Sequence, residues 1–464
     1  MSIHNDGCQA RGLMQIHADW ALLPGGWARD VALRIEGGRI ASALPGSQWR
    51  AGLRVGCLLP APVNLHSHMF QRAMAGMTER RSAGQDSFWT WRSLMYRFLD
   101  RLTPEDVEAI AAQVMVEMAE AGFAAVAEFH YLHHQPGGAP YASLAEMSER
   151  IVNAADETGF GLTLLPVLYQ RGGCDGRALT QGQMRFGNDA ERFAALWEGA
   201  AAAVRRVPDG VTGVAPHSLR AVDVAGLRLA EGIAPGAPIH IHVAEQVAEV
   251  EEVLAAYGAR PVEWLLGNFA VDGHWCGIHC TQMTPTETLA LARSGAVAGL
   301  CPITEANLGD GIFDGVRFVG AGGRWGVGSD SNVRISLAEE LRLLEYSQRL
   351  RDRGRAMLAE GARSTGRVLW EGAVAGGAQA AGRAGGVIAE GALADLVALD
   401  TESLHLEGRG GDEILDAFVF AGHDALVAEV WSGGRHIVQG GRHVARDAVA
   451  ARFRAVMRDL RERA

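Results

Sequence analysis

The chain has 464 residues, 48% hydrophobic and 21% charged, with a formal net charge of −11. That length supplies a large core, the balance is that of a soluble globular enzyme rather than a disordered or fibrous chain, and the acidity argues against a general affinity for nucleic acid. There is no lysine, all 43 basic residues being arginine, which excludes a Schiff-base lysine, a lysine-anchored pyridoxal cofactor, an ordinary P-loop and a carbamylated lysine bridging two metals.

The opening "MSIHNDGCQARGLMQIHADW" lacks the basic-then-apolar pattern of a signal peptide. No apolar run reaches the length of a membrane span, and the six scattered cysteines form no disulfide framework. A cytoplasmic location is expected. The first segments, "GLMQIHADWALL", "DVALRIEGGRIASAL" and "GLRVGCLLPAPVNL", read as short strands with turns. "LTPEDVEAIAAQVMVEMAEAG" reads as a helix capped by Thr103, with Pro104 in its first turn and Gly122 at its end. Strand "FAAVAEFHYL", a helix near 143–158, strand "LTLLPVLY", a helix near 189–206 and strand "VTGVAPHSL" follow. Strand "PIHIHVAE", a helix near 247–257, "WCGIHC", a helix near 285–294, "AVAGLCPI" and "RWGVGSDSN" complete the alternation.

Counted from "CLLPAPVNLHSH", this is roughly eight strand–helix units, the pattern of a (β/α)8 barrel. Helices near 336–353 and 364–383 finish it, and the tail returns to short strands in "ALADLVALD" and "ALVAEVWSGGRHIVQGGRHV". The expected fold class is therefore α/β: a TIM-like barrel over 61–384, with a small β-sandwich domain built from 1–60 and 385–464. Each end is too short for a core of its own.

Functional groups in such a barrel sit at the C-terminal ends of strands. The first strand offers His66 and His68, two apart and so on one face. The second offers Glu128, His130 and Tyr131, the fourth His217 and Arg220, the fifth His240, His242 and Glu245, the sixth His279 and the eighth Asp330. Burying so many imidazoles and carboxylates without partners is costly. His66, His68, His242 and Asp330 together supply the four N/O donors that suit a zinc ion. His240 lies deeper on the face of His242 and reads as a packed residue. His279 could ligate a metal or hydrogen-bond a reacting group, and the second role is preferred. Glu245, where the strand gives way to a loop, can reach an activated water as a general acid/base, or else simply favour a helix start. "HWCGIHC" has a C-x3-C spacing but no second cysteine pair, and the glycines of "GAGGRWGVGSD" precede their strand, so the dinucleotide fingerprint fails.

The order H-x-H, His, His, Asp on successive strands resembles the amidohydrolase superfamily, as does "GALADLVALD" on the return to the small domain. The H-x-x-E of His242 and Glu245 is similar to its single-metal deaminase branch, and the missing lysine agrees. "NLHSHMFQRAMAGMTE", "FWTWRSLMYRF", "AEFHYLHH", "APHSLRAV", "HIHVAEQ" and "GSDSN" resemble the formimidoylglutamate deiminases of histidine breakdown. That resemblance implies one divalent metal, zinc foremost, on His66, His68, His242 and Asp330. It implies catalytic roles for Glu245 and His279, and substrate contacts from Gln71, Arg92, Tyr131, His217 and Arg220.

The implied substrate is a small dicarboxylate, and Arg92 and Arg220 can each offer paired donors to a carboxylate. The expected mechanism has Asp330 helping to take a proton from an activated water, Glu245 shuttling one to the departing nitrogen and His279 stabilising the tetrahedral intermediate. A homodimer is expected, with neither nucleic acid nor membrane as partner. The competing readings are a deaminase of an aromatic base and a catalytically silent barrel serving as a binding module.

Overall fold

The computed structural model describes residues 13–49, 51–77, 79, 95, 96 and 98–463. Strands β1 (Met14–Leu23), β2 (Gly26–Glu36), β3 (Arg39–Leu44) and β4 (Leu53–Pro60) occupy the segments that read as short strands. β2 runs antiparallel to β1 and β3, whereas β4 lies parallel to β1.

The chain then enters a parallel run: β5 (Val63–Ser67), β6 (Ala125–His130), β7 (Gly161–Leu168), β8 (Val211–Thr212), β9 (Ala215–Pro216), β10 (Ile239–Val243), β11 (Trp275–His279), β12 (Val297–Leu300) and β13 (Arg324–Val327). Every residue of β5, β6, β7, β10, β11 and β12 is buried, as expected for parallel strands covered on both faces. β5 through β8 pair in sequence, and so do β10 through β13. Two seams join these sheets. Val214 bridges to Ile239 and Ser218 to His242 at one, and Ser67 bridges to Asp330 at the other. The expected fourth strand is not continuous. It breaks at Gly213, where a Cβ would fall 2.5 Å from the Pro238 carbonyl oxygen.

Helices cover the run. The one over Pro104–Glu120 has the expected cap: Asp106 N–H donates to Thr103 Oγ1 at 3.2 Å, Thr103 N–H donates to Asp106 Oδ2 at 3.0 Å, and Gly122 takes a left-handed φ of 101°. Glu146–Thr158, Ala190–Val204, Val247–Tyr257, Pro285–Ser294, Leu337–Asp352 and Thr365–Ala380 match the other readings. The helices Val224–Ile233, Pro261–Asn268, Pro302–Leu308, Gly315–Gly320, Asp412–Phe420 and Arg446–Glu462 were not anticipated. The last of these corrects the reading of an all-strand tail. Val449 and Leu460 are its buried residues, and Phe453, Val456 and Met457 pack half-buried against the core, an apolar stripe at helical spacing.

The return strands β14 (Leu396–Leu399), β15 (Val427–Ser432), β16 (Arg435–Gln439) and β17 (Arg442–His443) add to the first four, because β14 pairs antiparallel with β4. Both regions thus share one eight-stranded sheet, ordered β17-β16-β15-β14-β4-β1-β2-β3. It has a buried cluster of its own that includes Ile16, Val31, Leu33, Val55, Leu396 and Trp431.

A buried ion network ties this sheet to the start of the parallel strands. Arg383 donates to both oxygens of Asp395 at 3.0 Å and to Asp209 Oδ2 at 2.6 Å, and Arg435 pairs with Asp209 at 2.7 Å. Burial works against the Asp209 charge, but the two guanidinium groups outweigh it and hold the carboxyl below its ordinary range. Gly161 opens β7 beside this clamp, and a Cβ there would lie 2.8 Å from the Arg383 guanidinium.

Candidate active site

His66 and His68 do share a face of β5, their rings 4.7 Å apart. Asp330 reaches them through the seam. Its N–H donates to the His66 carbonyl oxygen at 3.0 Å and its own carbonyl accepts the His68 N–H at 2.9 Å. This pairing sets Asp330 Oδ1 3.2 Å from Nε2 of each histidine. His242, on β10, brings its Nε2 to 3.2 Å from that of His66. All four donor atoms lie within 4.8 Å of one another, and all four residues are buried.

Burial pushes His66 down to about 3 and His242 well below the ordinary histidine value, so both rings are neutral. His68 Nδ1 lies 2.9 Å from the Phe129 carbonyl oxygen, an arrangement in which Nδ1 carries the proton and Nε2 keeps its lone pair. For Asp330, burial works against the charge, but the surrounding histidines outweigh it and hold the carboxyl well below the usual range. Imidazole lone pairs and a carboxylate oxygen crowded together are repulsive alone and complementary to a divalent cation of the zinc class. The donor set fits the expected metal.

Asn332 fixes the turn that carries Asp330. Its amide donates to Ser67 Oγ and to the carbonyl oxygens of His68 and Asp330, each at 3.1 Å. Asp330 and Asn332 both have positive φ, 43° and 53°, as do Ala244 at 54° and His279 at 73°. Such strain in non-glycine residues gathers at functional sites. At the end of β10, Glu249 holds the chain in place by accepting the N–H groups of Ala244 at 3.2 Å and Glu245 at 2.9 Å. Glu245 then lines the pocket with His68, His242, His279 and Asp330.

His279 lies between two carboxylates, its Nε2 3.7 Å from Glu245 and its Nδ1 3.4 Å from Glu305. Burial opposes a charge on this ring, but Glu245, Glu305 and Asp330 outweigh it and raise His279 to about 10. Burial likewise raises Glu245 to about 6 against the pull of the His279 charge. His279 is thus a cation held between carboxylates, and the metal-capable cluster of His66, His68, His242 and Asp330 does not include it.

Gln71 donates to Tyr131 Oη at 2.8 Å, and both line the pocket with His217, Arg220 and the aromatic rings of Tyr169 and Phe186. Phe129 packs 4.3 Å from His242 and 5.1 Å from His66, centroid to centroid. Arg92 lies outside the described residues. His240 is a packing residue as expected, 2.8 Å from the Ala380 carbonyl oxygen. Glu128 does not join the pocket and instead accepts the Met69 N–H at 2.9 Å. The C-x3-C alternative is not assembled: Cys280 donates to Gly277 O at 3.4 Å, and His274 is exposed beside Asp272.

Residues 57–437 match the amidohydrolase family, and residues 14–56 match the formimidoylglutamate deiminase HutF N-terminal domain. The formimidoylglutamate deiminase of Pseudomonas aeruginosa is 48% identical over 96% of this chain and 99% of its own length. The chain belongs to the formimidoylglutamate deiminase family of amidohydrolases. A 5-methylthioadenosine/S-adenosylhomocysteine deaminase from Natronomonas pharaonis is 27% identical over 83% of this chain and 82% of that protein. Among solved structures, an amidohydrolase from Brucella melitensis is 50% identical, with a TM-score of 0.93 over 96% of this chain and 99% of that one. An adenosine deaminase from Xanthomonas campestris with bound zinc shares the fold at 21% identity, with a TM-score of 0.80 over 97% and 98% of the two chains. No helix among the described residues is long and apolar enough to cross a membrane.

Proposed function

We propose that this chain hydrolyses N-formimino-L-glutamate to N-formyl-L-glutamate and ammonia, a step of histidine degradation. The observation that carries this reading is 48% identity to a formimidoylglutamate deiminase across nearly the whole of both chains. The parallel run is read as a (β/α)8 barrel over 61–384. The strands from 1–60 and 385–464 are read as its small β-sandwich domain.

One divalent cation, zinc foremost, would be held by His66, His68, His242 and Asp330, and bound there it supplies Lewis acidity that acidifies water and draws charge from the reacting carbon. The protein's own groups handle the protons and the substrate. Water adds to the formimidoyl carbon, the bond from that carbon to the terminal nitrogen breaks, and ammonia departs. Asp330 Oδ2, the oxygen outside the donor set, takes a proton from the attacking water. Glu245, raised to about 6, changes protonation near neutral pH and carries a proton to the leaving nitrogen. His279, held cationic between Glu245 and Glu305, directs an N–H at the charge that develops on the former water oxygen. Arg220 and Arg92 pair with the substrate carboxylates, with Gln71, Tyr131 and His217 as further donors.

The decisive assay measures ammonia release by metal-loaded protein from N-formimino-L-glutamate, guanine and 5′-methylthioadenosine. Turnover of the linear amidine is expected to dominate by several orders of magnitude; faster release from either purine overturns the assignment.

A further inference from the structure

Arg220 lines the pocket from a turn, residues 218–222, that follows the seam joining Ser218 to His242. Within the turn, the Ser218 carbonyl oxygen accepts the N–H groups of Ala221 at 3.0 Å and Val222 at 3.1 Å. The carbonyl oxygens of Leu219, Ala221 and Val222 are taken from outside, by Gln170 and Arg171 just past the end of β7. The N–H groups of Gln170 and Arg171 both donate to Ala221 O, at 2.8 and 3.1 Å. Arg171 Nη2 donates to Leu219 O at 3.2 Å and to Val222 O at 2.9 Å, which brackets Arg220 on both sides. It also donates to the Tyr257 hydroxyl, which in turn donates to Leu219 O at 3.4 Å. Gln170 Oε1 accepts the N–H of Asp223, the cap of the helix Val224–Ile233, at 3.1 Å.

Nearby Arg177 pairs with Asp175 and Glu252, each at 3.1 Å. Arg171 is half-buried and pairs with no carboxylate among the described residues. Its planar fork is used on backbone oxygens instead, where it fixes the shape of the turn. A long side chain aims accurately only from a fixed backbone, and a shift of about 1 Å at a positioning group can cost on the order of a hundredfold. We propose that Arg171 is a positioning residue for substrate binding, holding the Leu219 and Val222 carbonyls so that the Arg220 guanidinium meets a substrate carboxylate. This inference rests on the deiminase reading above, through the role that reading gives Arg220. The carboxylate contact is made equally in the ground and transition states, so its loss belongs in KM rather than in kcat.

The test is a double-variant cycle on metal-loaded, full-length protein with N-formimino-L-glutamate. Arg171→Met is expected to raise KM about tenfold and to change kcat less than about twofold. General loosening of the fold would instead lower the active fraction, and so the apparent kcat, at an unchanged KM; that outcome overturns the proposal. In an Arg220→Met background, adding Arg171→Met is expected to raise KM by less than about twofold more. Additive losses would show that Arg171 acts by its charge and not through Arg220, and they overturn the proposal equally. If Arg171→Met does not fold, Arg171→Lys keeps the charge but has a shorter reach and no planar fork. It is expected to raise KM at least about threefold, and only while Arg220 is present; a KM equal to the parent's overturns the proposal. Failure of these KM effects in a chain whose wild type turns the substrate over removes the role of Arg171 and leaves the deiminase reading standing. Absence of turnover by the wild type defeats both.

Discussion

Two buried charge clusters stand at opposite ends of the parallel strands, and they are built on opposite principles. Around Arg383, beside the start of β7, each charge faces an opposite one: Asp395 and Asp209 take the Arg383 guanidinium, and Arg435 takes what remains of Asp209. At the C-terminal ends of the strands, like groups meet like. Histidine nitrogens lie 3.2 Å apart, three carboxylates surround His279, and Asp310 Oδ2 has no partner. The first cluster is complete as folded and serves the fold. The second is incomplete as folded and becomes favourable only with ligands bound, which is the mark of a working site.

The contrast can be broken most severely at Glu245. Glu245→Gln is expected to lower kcat by about 10²–10⁴-fold while metal content, read by elemental analysis, stays at the wild-type level; near-normal turnover would remove Glu245 from the proton path. Arg383→Met attacks the other cluster. Asp395 left buried without a counter-charge, and Asp209 left with Arg435 alone, should cost about 3–5 kcal/mol of stability in denaturant titrations, with kcat of the folded fraction unchanged. A variant as stable as the parent would show that the clamp is decorative.

Arg220→Met should raise KM by about tenfold to a hundredfold, the worth of a charge-assisted hydrogen bond, with a much smaller change in kcat. An unchanged KM would place the substrate carboxylates elsewhere. A smaller effect separates the clusters by pH. Glu245 must be ionised to accept a proton, so kcat/KM should be level above its value of about 6 and fall about tenfold per unit below it. Asp209 is depressed in the folded state. Its share of stability is therefore fully present above the unfolded aspartate value near ~3.9 and lost as pH falls through the lower folded value. Acid unfolding of Asp209→Asn should be correspondingly flatter in that window.

The convergence of the four candidate donors was legible in the sequence because strand spacing and position carry them. His66 and His68 are two apart on an apolar strand, while His242 and Asp330 sit where strands end. What escaped depends on contacts that periodicity does not encode. Glu249 reads as an ordinary residue in the first turn of a helix, yet it fixes the Glu245 backbone. Glu305 lies in a helix of seven residues, too short to show a pattern, and Asp310 in the loop that follows. Phe129 looks like any core aromatic until its ring is found against His242. The clamp joins Arg383 and Asp395, 12 residues apart with no motif between them, to Asp209, 174 residues away from Arg383. The terminal helix carries Val449, Phe453, Val456, Met457 and Leu460 at helical spacing, a stripe that the reading of the tail as strands passed over.

The stitch between β5 and the Asp330 turn has a temporal consequence. The two backbone hydrogen bonds that close this seam are also the ones that align three of the four candidate metal donors, and they link residues from opposite ends of the parallel run. A chain emerging from synthesis carries its histidine pair early but has no complete binding site until the last strand arrives. The candidate site is therefore completed late in maturation, at the junction where the two ends of the parallel run meet.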